Sequence, residues 1–297
     1  MKVKVRVPAT SANLGPGFDV AGLALTLYNT FTFELKDDGL TVTGCPPQFS
    51  NEENMTYQAF KEAAKYCGLE YKGLLIECSG DVPYTRGLGS SSTCIVAGIV
   101  GAFALSGKQK DRQEILELAT SIEGHPDNVA PAIFGGLTVS VMEDKKVLTL
   151  NIPVKHEYRF VALIPPFTLS TSESRSVLPS QVERADAITN VSHLALMVAS
   201  LINGYDEGLK QGFKDRLHQP YRGPLIKGYD KIMEKLEKDD KILGAYLSGA
   251  GPTIMAVIKE EDKMGVVRIK EELGDLLKDW DVVKLELDEK GFTADYE

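Results

Sequence analysis

Apolar and polar positions alternate along this chain in two different periods, and each period marks an element. Residues 2–8 (KVKVRVP) repeat every two positions, and residues 25–35 (LTLYNTFTFEL) do so with Tyr, Phe and Thr, which fit a pleated surface, so both predict strands. From Asn54 to Cys67 the period becomes helical, with Met55, Ala59, Phe60 and Ala63 on one face and Gly68 placed as a C-cap. A strand at 73–80, a turn at 81–89 and a small-residue helix from Ser90 to Ser106 follow. A second helix over 111–122 carries Ile115, Leu116, Leu118 and Ala119 and stops at Gly124, and HPDNVAPAIFGG predicts a short helix closing in a glycine turn. Strands are expected at 137–142, 147–152 and 159–164.

Pro165 and Pro166 then break the pattern and divide the chain into an expected N-terminal lobe, 1–165, and a C-terminal lobe, 166–297. The second half predicts helices at 181–203, 205–215, 224–238 and 262–273, with strands at 242–247, 253–258 and 282–287. The fold class is α+β in two lobes, with no fixed-period repeat.

Composition narrows the function classes. The 297 residues are 43% hydrophobic and 25% charged with a net charge of -9, so no sequence-wide positive field gathers a nucleic-acid backbone. The N-terminus alternates Lys or Arg with Val instead of offering a continuous apolar signal core, and Cys94–Leu105, interrupted by Gly98 and Gly101, falls short of the roughly 20 residues of a membrane helix. A cytoplasmic protein without a membrane segment is expected. Cys45, Cys67, Cys78 and Cys94 form no C-x-x-C pair and are expected as reduced thiols; His125, His156, His193 and His218 lack the spacing of a transition-metal site.

Three glycine-rich segments carry the chemistry. P-A-T-S-A-N-L-G-P-G-F-D, residues 8–19, is a strand ending in a bend, and alone a tight loop explains it. D-V-P-Y-T-R-G-L-G-S-S-S-T, residues 81–93, leads into an apolar helix whose N-terminal N–H groups and dipole suit anionic oxygens. It is neither a Walker A loop nor a G-x-G-x-x-G fingerprint, and a serine-capped helix is its bland reading. Y-L-S-G-A-G-P-T-I-M-A, residues 246–256, reads alone as a hairpin.

Together, their order and spacing resemble the signature motifs of the GHMP kinases. V-P-x-x-x-G-L-G-S-S at 82–91 is similar to that family's ATP loop, while the segments at 8–19 and 248–253 are similar to the first and third motifs of its homoserine-phosphorylating branch. The resemblance runs from Val7 to beyond Ala256. It implies an N-terminal lobe like ribosomal protein S5 domain 2, a ferredoxin-like C-terminal lobe, and a cleft holding ATP, Mg²⁺ and L-homoserine. The implied product is O-phospho-L-homoserine for threonine synthesis, and the implied assembly a homodimer.

By that resemblance the run Pro83, Tyr84, Thr85, Arg86, Gly87, Leu88, Gly89, Ser90, Ser91, Ser92 and Thr93 wraps the phosphates, and Asn54 reaches the adenine pocket. Ser91 and Glu117, the latter through an eleven-residue step to Asn128, are implied as Mg²⁺ ligands. Taken alone, Glu117 is a solvated helix carboxylate and Asn54 an N-cap. Arg175 in T-S-E-S-R and Arg222 in Q-P-Y-R match positions that bind the substrate carboxylate; Asn13 and Asp19 match those at the amino-acid head, with Asp19 suited to the ammonium. Thr171 and His125 are further pocket candidates. Mevalonate kinase and galactokinase resemble each other in placing an Asp base where this chain has Asn128, and an amide cannot take a proton. The implied chemistry is transfer without a protein general base, with Asn128, Arg175, Ser91 and Glu117 as the catalytic set and Asp127 as the alternative base. Other acceptors (shikimate, mevalonate or a sugar) and a nucleotide-binding regulator without catalysis are the competing readings. A local basic cleft of Arg86, Arg175 and Arg222 is expected to offset the acidic whole.

Overall fold

The computed structural model describes residues 2–108, 111–144, 146–155 and 157–296, so His156 lies outside the described residues. The first lobe runs β1 (Lys2–Ala12), β2 (Ala21–Lys36), β3 (Gly39–Thr43), α1 (Met55–Cys67), β4 (Gly73–Gly80), α2 (Ser90–Leu105), α3 (Arg112–Glu123), α4 (Pro126–Phe134), β5 (Leu137–Glu143) and β6 (Lys146–Ile152). The second runs β7 (Tyr158–Ile164), α5 (Thr171–Ser176), α6 (Arg184–Asn203), α7 (Asp206–Gly212), α8 (Gln219–Arg222), α9 (Tyr229–Lys238), β8 (Ile242–Leu247), β9 (Ile254–Lys259), α10 (Gly265–Leu273) and β10 (Asp281–Leu285). β11 (Thr293–Tyr296) returns to the first lobe.

Alternation in β1 puts Val3, Val5 and Val7 into the core, and β2 continues the sheet on one side while β11 closes the other. The sheet order is β11-β1-β2-β4-β3, with the β5–β6 hairpin joined to β2 through Ala21–Leu23. Against this sheet lies α2, buried at every position except Ser91 and Cys94. Gly98 admits the neighbouring helix: a Cβ there would stand 2.3 Å from the Thr56 carbonyl oxygen of α1. The helix is therefore a core element that offers its N-terminal turn to the cleft.

The second sheet, β10-β7-β9-β8, is antiparallel throughout and carries α9 and α10 on one face, with Ile232, Leu236, Ile269 and Leu273 in that core. Leu23, Leu25 and Leu88 share one core with Phe160, Met255 and Val257, so the two sheets are packed together rather than strung on a linker.

Two expectations shift. β7 belongs to the second sheet, so the chain crosses before Tyr158; Pro165 and Pro166 end β7 and begin a loop inside the second lobe instead of dividing the lobes at 165/166. β3, α5 and β11 had no separate signal, since each is short and lies on its neighbours. Also, α6 and not Cys94–Leu105 is the longest apolar helix: it has the 20-residue length of a membrane span, and an 18-residue window within it has a mean hydropathy of 1.4. In this fold α6 places Met197 and Leu201 in the shared core and aims Asn190 at the Pro16 carbonyl.

Candidate active site

All three glycine-rich segments meet at one junction. The Ser248 hydroxyl donates to the Gly87 carbonyl at 2.6 Å and lies 2.7 Å from the Ser11 hydroxyl, while Gly249 N–H donates to the Ala12 carbonyl at 3.0 Å. Gly87 and Gly89 hold left-handed backbone, with φ of +75° and +69°. At Gly89 a Cβ would stand 1.9 Å from Thr10 Oγ1, and at Gly87 one would stand 2.4 Å from the Ser248 carbonyl oxygen. Glycine is required at both by conformation and by contact.

Gly89 is also the N-cap of α2, and no side chain caps that helix end. Its first N–H groups therefore remain for an anionic ligand at the positive end of the dipole, in place of the expected serine cap. They open on a cavity of about 510 Å³. Tyr84, Thr85, Arg86, Gly87, Gly89, Ser90, Ser91 and Ser92 line it. Leu88 points into the shared core and Thr93 is buried and receives Asn29 Nδ2 at 3.0 Å; neither these two nor Pro83 lines the cavity.

Part of the cavity wall is apolar and sulfur-rich, formed by Cys45, Phe49, Met55, Cys78, Tyr84 and Cys94, with the Met55 sulfur 3.1 Å from Ser91 Oγ. All four cysteines are free thiols, and burial pushes Cys78 up to about 12. Asn54 is on this wall, but its amide is spent as the N-cap of α1, accepting from Tyr57 N–H and donating to the Phe49 carbonyl.

The expected metal pair is corrected. Glu117 lies on the exposed face of α3, bonded to Gln113, because the inward face of that helix is taken by Ile115, Leu116, Ala119 and Thr120. Six residues on, the last residue of α3, Glu123, accepts from Ser91 Oγ at 2.9 Å and lines the cavity. Burial raises the Glu123 pKa above the ordinary carboxylate value against the lowering effect of Ser91. Its place immediately before Gly124-His125-Pro126-Asp127-Asn128 was the signal available in the sequence.

Asn128 lines the cavity beside Thr171 and Gly249, and its Oδ1 accepts from Thr10 Oγ1 at 2.8 Å. Asp127 is 2% exposed and bonded to His125 Nδ1 at 2.5 Å, so its carboxylate is engaged by an imidazole. Asp19, His125 and Asp127 lie close enough for their ligand atoms to fall within 4.8 Å of one another.

Asp19 accepts two hydrogen bonds from Arg175, at 2.7 and 3.2 Å. Phe18 carries the Arg175 guanidinium at 5.6 Å and that of Arg222 at 5.1 Å from its ring centroid, with the buried His218 ring stacked at 5.4 Å. Arg222 is buried and donates to the Ser174 and Gly249 carbonyls; burial first, and Arg175 second, pull it down to about 10. Asn13 is held at both ends by comparison: its Nδ2 donates to the Gly249 carbonyl and its Oδ1 accepts the Asp19 N–H, so each end of the amide already has one partner. Arg86 does not join the other arginines, since it donates to the carbonyls of Tyr84, Pro165 and Pro166. Thr10, Phe18, Glu123 and His218 are the site residues that pattern reasoning missed.

A glycine-bounded phosphate loop on a buried helix, with an acceptor subsite of opposite charges beside it, defines a small-molecule kinase of the two-lobe kind. The chain belongs to the GHMP kinase family: the model for GHMP kinases N terminal domain matches residues 54–136 and that for GHMP kinases C terminal matches 197–278. A homoserine kinase of Clostridium beijerinckii is 48% identical over 292 residues, covering 98% of both chains. The crystal structure of homoserine kinase from Cytophaga hutchinsonii superposes with a TM-score of 0.87 at 26% identity, covering 99% of this chain and 97% of that one. The fold extends to L. major mevalonate kinase in complex with R-mevalonate, with a TM-score of 0.73 at 16% identity over 96% of this chain and 95% of that one.

The His125–Asp127 pair makes one prediction here. Burial disfavours the imidazolium, but the Asp127 carboxylate outweighs it and raises the His125 pKa above its ordinary value. The stabilisation from this pair is thus complete below pH of about 6.5 and is lost as pH rises through the higher folded value. Asp127→Asn is expected to lower the His125 midpoint in an NMR titration; an unchanged midpoint would refute the pairing.

Proposed function

We propose that this protein transfers the γ-phosphoryl group of ATP to the hydroxyl of L-homoserine, a step of threonine biosynthesis. The observation that carries the reading is the Asp19–Arg175 pair, backed by Arg222: Asp19 lies close to Asp127, the chain neighbour of Asn128, and Asn128 lines the phosphate cavity. An α-amino acid brings an ammonium for Asp19 and a carboxylate for the guanidinium groups, and its side-chain hydroxyl then extends toward Asn128. Shikimate, mevalonate and sugars bring no ammonium to replace Arg175 at Asp19 when a ligand draws the guanidinium away.

ATP fits with its phosphates on the α2 N-terminus and its adenine against the apolar part of the wall, between Phe49 and Tyr84. The acceptor oxygen forms its bond to the γ-phosphorus as the bond to the β-bridging oxygen breaks, releasing ADP, and the hydroxyl proton passes to a γ-phosphate oxygen. Asn128 orients the hydroxyl. With Asp127 held by His125, no free carboxylate among the described residues stands in the base position of the wider family. Intact phosphate-loop, metal-type and acceptor groups weigh against a regulator without catalysis.

Ser91 Oγ and the Glu123 carboxylate fit Mg²⁺, because both are hard oxygen donors and the enclosed carboxylate has a hydroxyl rather than a cation as its hydrogen-bond partner. Mg²⁺ held there would supply positive charge to offset the negative charge of the phosphates during transfer.

The reading extends to a homodimer. Register places Val139 opposite Leu150 and Val141 opposite Leu148 on one face of the β5–β6 hairpin, with Leu148 76% and Leu150 64% exposed. That face continues past Ala21, which pairs with Val139, to Gly17 and Leu194 and so to α6, where Ile188 and Val191 are exposed. β6 pairs only with β5 among the described residues, and an open edge of this kind can join the same edge of a second copy about a two-fold axis.

ADP release across L-homoserine, D-homoserine, L-serine, shikimate and mevalonate should respond selectively to L-homoserine, and Arg175→Ala should raise its KM about 100-fold while sparing that of ATP. A preference for another acceptor would remove the substrate assignment and keep the kinase. Glu123→Gln should raise the Mg²⁺ concentration needed for half-maximal rate at least tenfold and Glu117→Gln should not; the reverse pattern would restore Glu117. Light scattering should give twice the chain mass, reduced to one by Leu148→Glu with Leu150→Glu; a monomeric wild type would refute the second copy.

A further inference from the structure

We infer that Thr10 is a positioning residue for the transfer: its hydroxyl holds Asn128 Oδ1 and thereby presents the Asn128 NH₂ group to the acceptor oxygen. This rests on the phosphotransferase reading of the site. Thr10 is fully buried near the end of β1, where its N–H donates to the Leu88 carbonyl at 3.1 Å and its Oγ1 lies under Gly89. It therefore touches the phosphate loop and Asn128 at once, a place no motif reading assigned to it.

The two ends of a carboxamide are nearly equal in shape, so hydrogen bonding decides which end faces a ligand. Thr10 has one hydroxyl hydrogen, and the Asn128 Oδ1 at 2.8 Å is its acceptor among the described residues. Turning the amide over would leave that buried hydrogen without an acceptor, at a cost of about 1–3 kcal/mol. Asn128 is on the cavity wall, so the end left for the substrate is Nδ2 with its two hydrogens.

The consequence is directional. A donor placed on the acceptor oxygen leaves the hydroxyl's own hydrogen to point at a γ-phosphate oxygen, which is where it must go when no protein base is present. An amide oxygen in the same place would hold that hydrogen away from the phosphate and could not accept the proton.

The test is steady-state kinetics of Thr10→Val, Thr10→Ser, Asn128→Ala and the Thr10→Val/Asn128→Ala double variant, with melting temperatures alongside. Thr10→Val should lower kcat on the order of 10- to 100-fold with both KM values within about twofold, because misorientation of one reacting group costs rate more than binding. Thr10→Ser should recover most of the rate, and Thr10→Val should cost nothing further in the Asn128→Ala background. Should the Val variant not fold, Thr10→Cys, which has a weak donor at similar bulk, is expected between Ser and Asn128→Ala. Unchanged kcat in Thr10→Val, an equal loss in Thr10→Ser, a loss that persists in full without Asn128, or a raised KM for ATP with a lowered melting temperature would each overturn the role. A wild type inactive on L-homoserine while turning over another acceptor would instead fail the substrate reading.

Discussion

The Ser248 hydroxyl bridging Ser11 and the Gly87 carbonyl is the contact on which the rest of the site depends. It ties together three stretches of chain, one from the first strand, one from the phosphate loop and one from the β8–β9 turn, the last more than half the sequence away from the other two. It acts with the Thr10 N–H bond to the Leu88 carbonyl and the Arg86 bonds to the Pro165 and Pro166 carbonyls in holding the glycine loop before α2. Together these contacts fix the open helix end, the acceptor subsite and the bend at residues 13–19 relative to each other. The shared core of Leu25, Leu88, Phe160 and Met255 beneath the junction gives it a rigid base. Preorganisation of this kind lets a binding site spend little on ordering its own groups when a ligand arrives.

Charge is distributed to match. The chain is acidic overall, yet the cleft receives its positive potential from the end of α2 and from two guanidinium groups stacked on Phe18. Arg86, the cation closest in sequence to the phosphate loop, instead fastens that loop to the end of β7 through the Pro165 and Pro166 carbonyls. A residue suited by type to neutralise phosphate thus acts as a brace between lobes.

Much of this was legible from residue order. Alternation and helical spacing gave the long elements within a few residues, because a strand with one buried face and a helix with one apolar stripe leave regular marks. Short elements on the rim, β3, α5 and β11, bury too little to leave any. The phosphate loop was readable because glycine is needed there for shape. Glu117 and Glu123 could not be separated by residue type: both are helix carboxylates, and only the rotation of α3 on the sheet decides which one meets Ser91. Asn13 shows the opposite limit: the motif marks it, and the fold gives each end of its amide a partner, one at Gly249 and one within its own bend. The sequence pattern marks where chemistry collects, and three-dimensional packing decides which polar ends stay free.

The ion pair between Asp19 and Arg175 gives the acceptor subsite an internal counter-ion. A zwitterion entering it need not find charge already waiting in an unpaired state; it slips its own two charges between the two that are there, converting a pair into an alternating quartet. Net charge in the subsite is the same before and after, so selection falls on charge separation within the ligand rather than on charge itself. A simple anion or a simple cation would satisfy one side of the pair and strand the other.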